Sequence, residues 1–323
     1  MNSEYFKPVL SIQKLSLNKP TRVLLNETPV VLIKTATGIV AYEDFCPHRG
    51  LSLSEGFMIA GKLHCKYHGW SFDIKDGENT FVPVKNSKTS CKLIPIFVKE
   101  CYELVWLSYH QDAIMPTLSS ITPSIFLTGK IKAEITNVLE NFLEGSHTHF
   151  VHSGLVRSKN KKRNALVAEL INNSEGFIVN YESEPSKGLI TQLLPKNYRS
   201  LKPVSMYIHP GIAVLTYINQ EQKIIARFEA ILIPEGEEIK YFARIFIDIG
   251  WVNLVIKPIA RYIFKKVIHQ DKKILELQQQ NLSMFKEKKF VSVEADTVGK
   301  YIYAWQNSKN HDLPCKTSFN VYW

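Results

Sequence analysis

The stretch CPHRGLSLSEGFMIAGKLHCKYHGW (46–70) decides how the first third of the chain is read. It holds Cys46-Pro-His48 and, after sixteen residues, Cys65-Lys-Tyr-His68, so each of two short segments supplies one thiol and one imidazole. Two thiolates and two imidazoles can hold zinc, or a [2Fe-2S] cluster in which cysteine takes one iron and histidine the other. Zinc fingers pair like with like, two cysteines close together and then two histidines. Interleaving suits the cluster instead, because each loop must reach both irons. His64 precedes Cys65 in a predicted strand and so points to the other face, outside the ligand set.

Around this stretch the text from residue 20 to about 110 is short and β-rich: RVLL, PVVLIKT, GIVAYED, KLHCKYHGWSFDI and LIPIFVKECYELVWLSY, broken by ATG, GENT and PVKNSK. It predicts a small all-β domain with each ligand pair at the tip of a hairpin. Residues 111–130 lose the pattern and carry Pro116 and Pro123, which places a boundary there and divides the chain into 1–112 and 113–323. A helix is expected over 133–150, then alternating segments at 166–181, 203–218 and 223–249 that suit an antiparallel sheet, then helix again over 254–287. The expected class is α+β, an all-β domain followed by an antiparallel sheet with helices.

At 323 residues the chain has ample length for two cores. Its opening, MNSEYFKPVL, lacks the plan of a signal peptide, and no apolar run is long enough to span a bilayer, so the expectation is a soluble, cytoplasmic protein. An odd count of five cysteines argues for reduced thiols, some of them ligands, with Cys91 and Cys101 in the core. The net charge of +10 is spread along the chain. Its densest run, RSKNKKRN (157–164), lacks interleaved aromatics and reads as a solvated loop, not a nucleic-acid patch. WVNLVIKPIARYIFKK (251–266) has an apolar face suited to covering an active site or to resting on a membrane surface.

CPHRG (46–50) and CKYHGW (65–70) resemble the two cluster-binding loops of Rieske non-haem iron oxygenases. A cluster alone moves single electrons, and the rest of the chain needs another purpose. Within ENFLEGSHTHFVH (140–152), Glu144-x-x-His147-x-x-x-x-His152 is similar to that family's iron motif, usually written with Asp first. Two imidazoles and one carboxylate on one face of Fe(II) leave positions for O₂ and water. On a straight helix positions five apart diverge by about 140°, so His147 and His152 meet at one ion only if the helix ends or distorts between them. His149 lies on the wrong side and is read as a bystander.

The third ligand must come from elsewhere. In ARYIFKKVIHQDKKILELQQQNL (260–282), Asp271 interrupts the apolar stripe Ile263, Val267, Leu275 and Leu282, where a carboxylate needs a cation. The family also places its third ligand in such a late helix. Glu276 lies off the stripe and can pair with Lys272 or Lys273. The resemblance implies that Glu144 bridges a cluster histidine of a neighbouring subunit to an iron-bound histidine, with Asn141 behind it. It further implies a terminal oxygenase, closer to O-demethylases and monooxygenases than to ring dioxygenases, acting with O₂ on a small apolar or aromatic substrate. A head-to-tail homotrimer is also implied. With no flavin or nicotinamide fingerprint, electrons from NAD(P)H must come through a separate reductase or ferredoxin. The other reading is a Rieske electron-transfer or ligand-sensing protein without turnover.

Overall fold

Four consecutive apolar residues, Val30-Val31-Leu32-Ile33, are each fully buried, which requires cover on both faces of their strand. The computed structural model describes residues 4–83, 90–157, 165–182, 184–185, 200–248, 253–285 and 290–322. Its contacts divide the chain into two units, residues 2–120 and residues 121–323 with Met1.

In the N-terminal unit β1 (Lys7–Ser11), β2 (Thr21–Leu25), β3 (Thr28–Thr35), β4 (Gly38–Glu43), β9 (Pro95–Cys101) and β10 (Leu104–Ser108) form an antiparallel sheet in the order β1-β10-β9-β4-β3-β2. A smaller sheet joins β5 (Phe57–Ile59), β6 (Lys62–His64), β7 (Ser71–Asp73) and β8 (Asn79–Phe81) in sequence order. Alternate residues of β3 serve two cores. Val30 and Leu32 pack with Val105 and Leu107, while Val31 and Ile33 pack with Cys46, Cys65, Trp70 and Phe72.

Two details differ from expectation. The run LIPIFVKECYELVWLSY hides a hairpin, because Tyr102 and Glu103 both adopt positive φ and turn β9 back into β10. Neither is a usual turn residue, so nothing local announced it. Only the second ligand pair sits at a hairpin tip, between β6 and β7, which pair directly. The first lies in the crossover from β4 in the large sheet to β5 in the small one.

The C-terminal unit is one sheet of β11 (Ile125–Ile131), β12 (Ala165–Asn172), β13 (Gly176–Tyr181), β14 (Glu184–Pro185), β15 (Ser200–Ile208), β16 (Ile212–Ile218), β17 (Ile224–Glu235), β18 (Glu238–Ile247) and β19 (Lys316–Tyr322). The order is β11-β18-β17-β16-β15-β13-β12-β19, with β14 paired to β15, and every pairing is antiparallel. Among the described residues three helices accompany it: α1 (Ile135–Leu143), α2 (Asn253–Met284) and α3 (Thr297–Gln306). Ala213, Ala230 and Ala243 lie in register across β16, β17 and β18. Small side chains there let helices approach the sheet, and Val138, Leu139 and Leu143 of α1 share a core with Ala213, Ala230, Ile302 and Trp305.

Strand β11 falls inside the segment that had lost its pattern, and α3 and β19 were not foreseen. The expected helix over 133–150 stops at Leu143 and resumes only as a single 3₁₀ turn, Ser146–His149. Of the basic run, 158–164 lies outside the described residues, and Arg157 is buried, with its Nε–H donating to Thr148 Oγ1 at 3.1 Å. Residues 251 and 252, at the head of WVNLVIKPIARYIFKK, also lie outside them, and among the described residues no helix is long and apolar enough to cross a membrane.

Candidate metal centres

The two ligand loops of the N-terminal unit are one turn built twice. Cys46 N–H donates to Leu51 O and Gly50 N–H returns to Cys46 O; likewise Cys65 N–H donates to Trp70 O and Gly69 N–H returns to Cys65 O. The glycines, at φ of +74° and +70°, occupy the left-handed region that a side chain would strain. Each turn buries its thiol and leaves its imidazole near the surface. The rings of His48 and His68 lie 4.6 Å apart, and Trp70 stacks on His48 at 4.6 Å and 8°. His64 stands apart, stacked on Phe57.

Burial pushes the Cys46 thiol up to about 11, against the opposing pull of backbone N–H groups of His48 and Arg49. Two adjoining buried thiols become thiolates only beside a cation, and the same N–H groups suit ligating sulfur. The residues therefore fit a [2Fe-2S] cluster with cysteine on an inner iron and histidine on an outer one.

In the C-terminal unit the end of α1 sets the second centre. Glu144 has extended backbone, and its carboxylate turns forward to accept the N–H of Ser146 and, at 3.2 Å, that of His147. The same carboxylate meets His147 Nδ1 at 2.5 Å, which leaves Nε2 free. His152, 2% exposed, is matched by Gln270, whose Oε1 lies 3.0 Å from Nδ1. Asp271 Oδ1 lies 2.9 Å from His152 Nε2 and 3.7 Å from His147 Nε2. The three ligand atoms all lie within 4.8 Å of one another.

Asp271 Oδ1 is buried and makes no hydrogen bond. An unsatisfied buried carboxylate oxygen facing two imidazole lone pairs calls for a cation, so the donor set fits Fe(II) held on one face. Burial would raise the pKa of Glu144, but hydrogen bonds from His147 and Ser146 outweigh it and hold the carboxyl below its ordinary range. Glu144 therefore stays ionised behind the ring it orients.

Glu144 also lines a surface groove of about 440 Å³ with Asn137, Glu140, Asn141, Ile274 and Asp296. Glu140 is pushed up to about 7 by burial first, then by Asp296 and Glu144. Asn141 faces this groove. Glu276 pairs with Lys272 at 3.5 Å and accepts Lys132 N–H. His149 lies in the 3₁₀ turn between the two ligands, outside the triad. Gln270 and Glu140 were missed from sequence; Gln270, adjacent to Asp271 on the same helix, was the detectable one.

Fold and donor sets together define an iron-sulfur oxygenase of Rieske type. A model of the Rieske [2Fe-2S] domain matches residues 6–98, and a model of the vanillate O-demethylase oxygenase C-terminal domain matches residues 131–305. The chain belongs to this Rieske oxygenase family. It is 26% identical over 311 residues to a 4beta-methylsterol monooxygenase of Methylococcus capsulatus, covering 86% of this chain and 81% of that one. It is 27% identical over 210 residues to protein TIC 55, chloroplastic, of Arabidopsis thaliana, covering 59% of this chain and 38% of that protein. The match to a 3-chlorobenzoate-3,4-dioxygenase oxygenase subunit of Comamonas testosteroni likewise spans 38% of the relative. In fold it is similar to dicamba monooxygenase bound to 3,6-dichlorosalicylic acid, with TM-score 0.79, 18% identity and 96% and 97% of the two chains covered.

Proposed function

We propose that the chain is the terminal oxygenase of a multicomponent Rieske system. Substrate, O₂, two electrons and two protons would give an oxygenated product and water, by hydroxylation or by oxidative demethylation. Bound iron(II) would supply O₂ activation and the cluster single electrons. Cys46, His48, Cys65 and His68 would hold the cluster, and His147, His152 and Asp271 the iron. Glu144 keeps the Nδ1 proton of His147 and Gln270 orients His152, so both rings present Nε2 to one point. Glu144 would bridge His68 of a neighbouring copy to His147, with Asn141 beside it in the groove, in a homotrimer. Electrons would originate from NAD(P)H through a separate reductase or ferredoxin.

The surroundings of α2 just before Asp271 support a substrate class. Phe264 and Ile268 pack with Phe228, Ile245 and Ile247, and Phe228 stands edge-on to both Phe264 (5.1 Å) and Tyr217 (6.0 Å). Apolar and aromatic side chains packed this close to Asp271 support a small apolar or aromatic substrate. The monooxygenase branch is the one we favour.

The observation that carries the reading is the convergence of two oriented imidazoles on the unsatisfied Asp271 Oδ1. Reconstituted protein should hold about three irons per chain, against about two for a Rieske carrier without turnover. His152→Ala and Asp271→Asn should each lose the third iron and O₂-dependent turnover, while Glu144→Gln keeps all the iron and slows cluster reoxidation. Unchanged iron content in His152→Ala would sink the mononuclear site.

A further inference from the structure

We propose that Tyr181 and Ser205 are positioning residues, which hold α1 open at Leu143 so that Glu144 and His147 leave the helix in the arrangement the iron site needs. This rests on the oxygenase reading and deepens it. Were α1 to continue, Leu143 C=O would accept His147 N–H and Phe142 C=O would accept Ser146 N–H. Both N–H groups go instead to the Glu144 carboxylate. The carbonyl half of the broken bond has its own partners: Tyr181 Oη on β13 donates to Leu143 O at 3.0 Å, and Ser205 Oγ on β15 donates to it at 2.8 Å.

Both hydroxyls are buried, Tyr181 2% exposed and Ser205 0%. A carbonyl offers two lone pairs, and two donors from neighbouring strands occupy them. Each half of the helical bond is thus satisfied separately, and the helix gains nothing by closing. Ser205 is a hydroxyl within an otherwise apolar register row, Leu170, Val179, Ser205, Leu215 and Phe228. Its exception sits where the helix must stop. Closing that bond would carry His147 back onto the helix, about 140° from His152 in direction.

The test uses the full chain with its cluster reconstituted and Co(II) as the probe of the mononuclear site. Ser205→Ala and Tyr181→Phe are made singly and together, with Ser205→Thr as the variant that keeps the hydroxyl. The double variant is expected to bind Co(II) at least about 10-fold more weakly, with altered d–d bands and an unchanged cluster spectrum. Ser205→Thr should bind Co(II) more tightly than Ser205→Ala. Parental affinity and bands in the double variant would overturn the proposal. If the double variant does not fold, equal Co(II) affinity in Ser205→Ala and Ser205→Thr overturns it. His152→Ala in the same assay separates the two readings. Co(II) retained there defeats the iron site itself, whereas Co(II) lost there but kept in the Ser205 and Tyr181 variants defeats only the positioning role.

Discussion

Glu140 shows what a carboxylate does when its neighbours are carboxylates. It sits in the groove between Asp296 and Glu144, with Gly299 of α3 against it: a Cβ there would lie 2.2 Å from its Oε1. Its pKa, raised to about 7, exceeds the unfolded value near 4.5, so the folded state holds the proton more tightly. That contribution is present in full below about pH 4.5 and is lost as pH rises through about 7. Glu140→Gln should therefore flatten the stability profile across this window and raise Tm at pH 8 by roughly 2–4 °C. Thermal melts from pH 4 to 8 check it, and a slope matching the parent protein would refute it. The proposed metal ligands stand out in the sequence because coordination chemistry sets their spacing: Cys46, His48, Cys65, His68, His147 and His152 can be picked from one line of text. Glu140 does not stand out, since its raised pKa comes first from burial and then from Asp296 and Glu144, surroundings that the fold creates.

Among elements, the crossover from β4 to β5 carries the proposed ligand pair Cys46 and His48 and is braced by Asp44 as well as by its own backbone hydrogen bonds. Asp44 is buried; its Oδ1 accepts Ser54 N–H at 2.7 Å and its Oδ2 accepts Ser54 Oγ–H at 2.7 Å, with Arg22 at 3.4 Å. Asp44→Ala leaves that amide unpaired and should cost about 1–3 kcal/mol. Denaturant titration followed by tryptophan fluorescence measures it, and a loss below about 0.5 kcal/mol would show that the crossover is held by packing instead. Element types read well from sequence where periodicity was long, as in β15 to β18 and α2. They failed where tertiary contacts override local preference. In the expected helix over 133–150, Gly145, Ser146 and Thr148 weaken the helix after Leu143, and side chains of β13 and β15 meet the Leu143 carbonyl where α1 ends, contacts that no local pattern announces. The β9–β10 turn failed for a related reason: Tyr102 and Glu103 form the two-residue link between Cys101 and Leu104, which pair directly, and such a link takes positive φ whatever its residues.

At the scale of the molecule, the proposed cluster and iron ligands belong to different compact units, residues 2–120 and 121–323. If electrons cross between copies, two defective chains should complement one another. Cys65→Ser removes a cluster ligand and Asp271→Asn removes an iron ligand, so each alone should be inactive. Refolded together they should recover O₂ uptake coupled to substrate loss, and continued inactivity of the mixture would exclude transfer between subunits. The order of the large sheet has a further consequence. Its edge strand β19 pairs with β12, and β11 pairs with β18, so early and late segments close the sheet together. During synthesis His147 and His152 leave the ribosome well before Asp271, so for that interval the proposed site lacks its carboxylate. With iron held as proposed by His147, His152 and Asp271, the full donor set would exist only once α2 has been made, so the metal would join a chain already long past its two imidazoles.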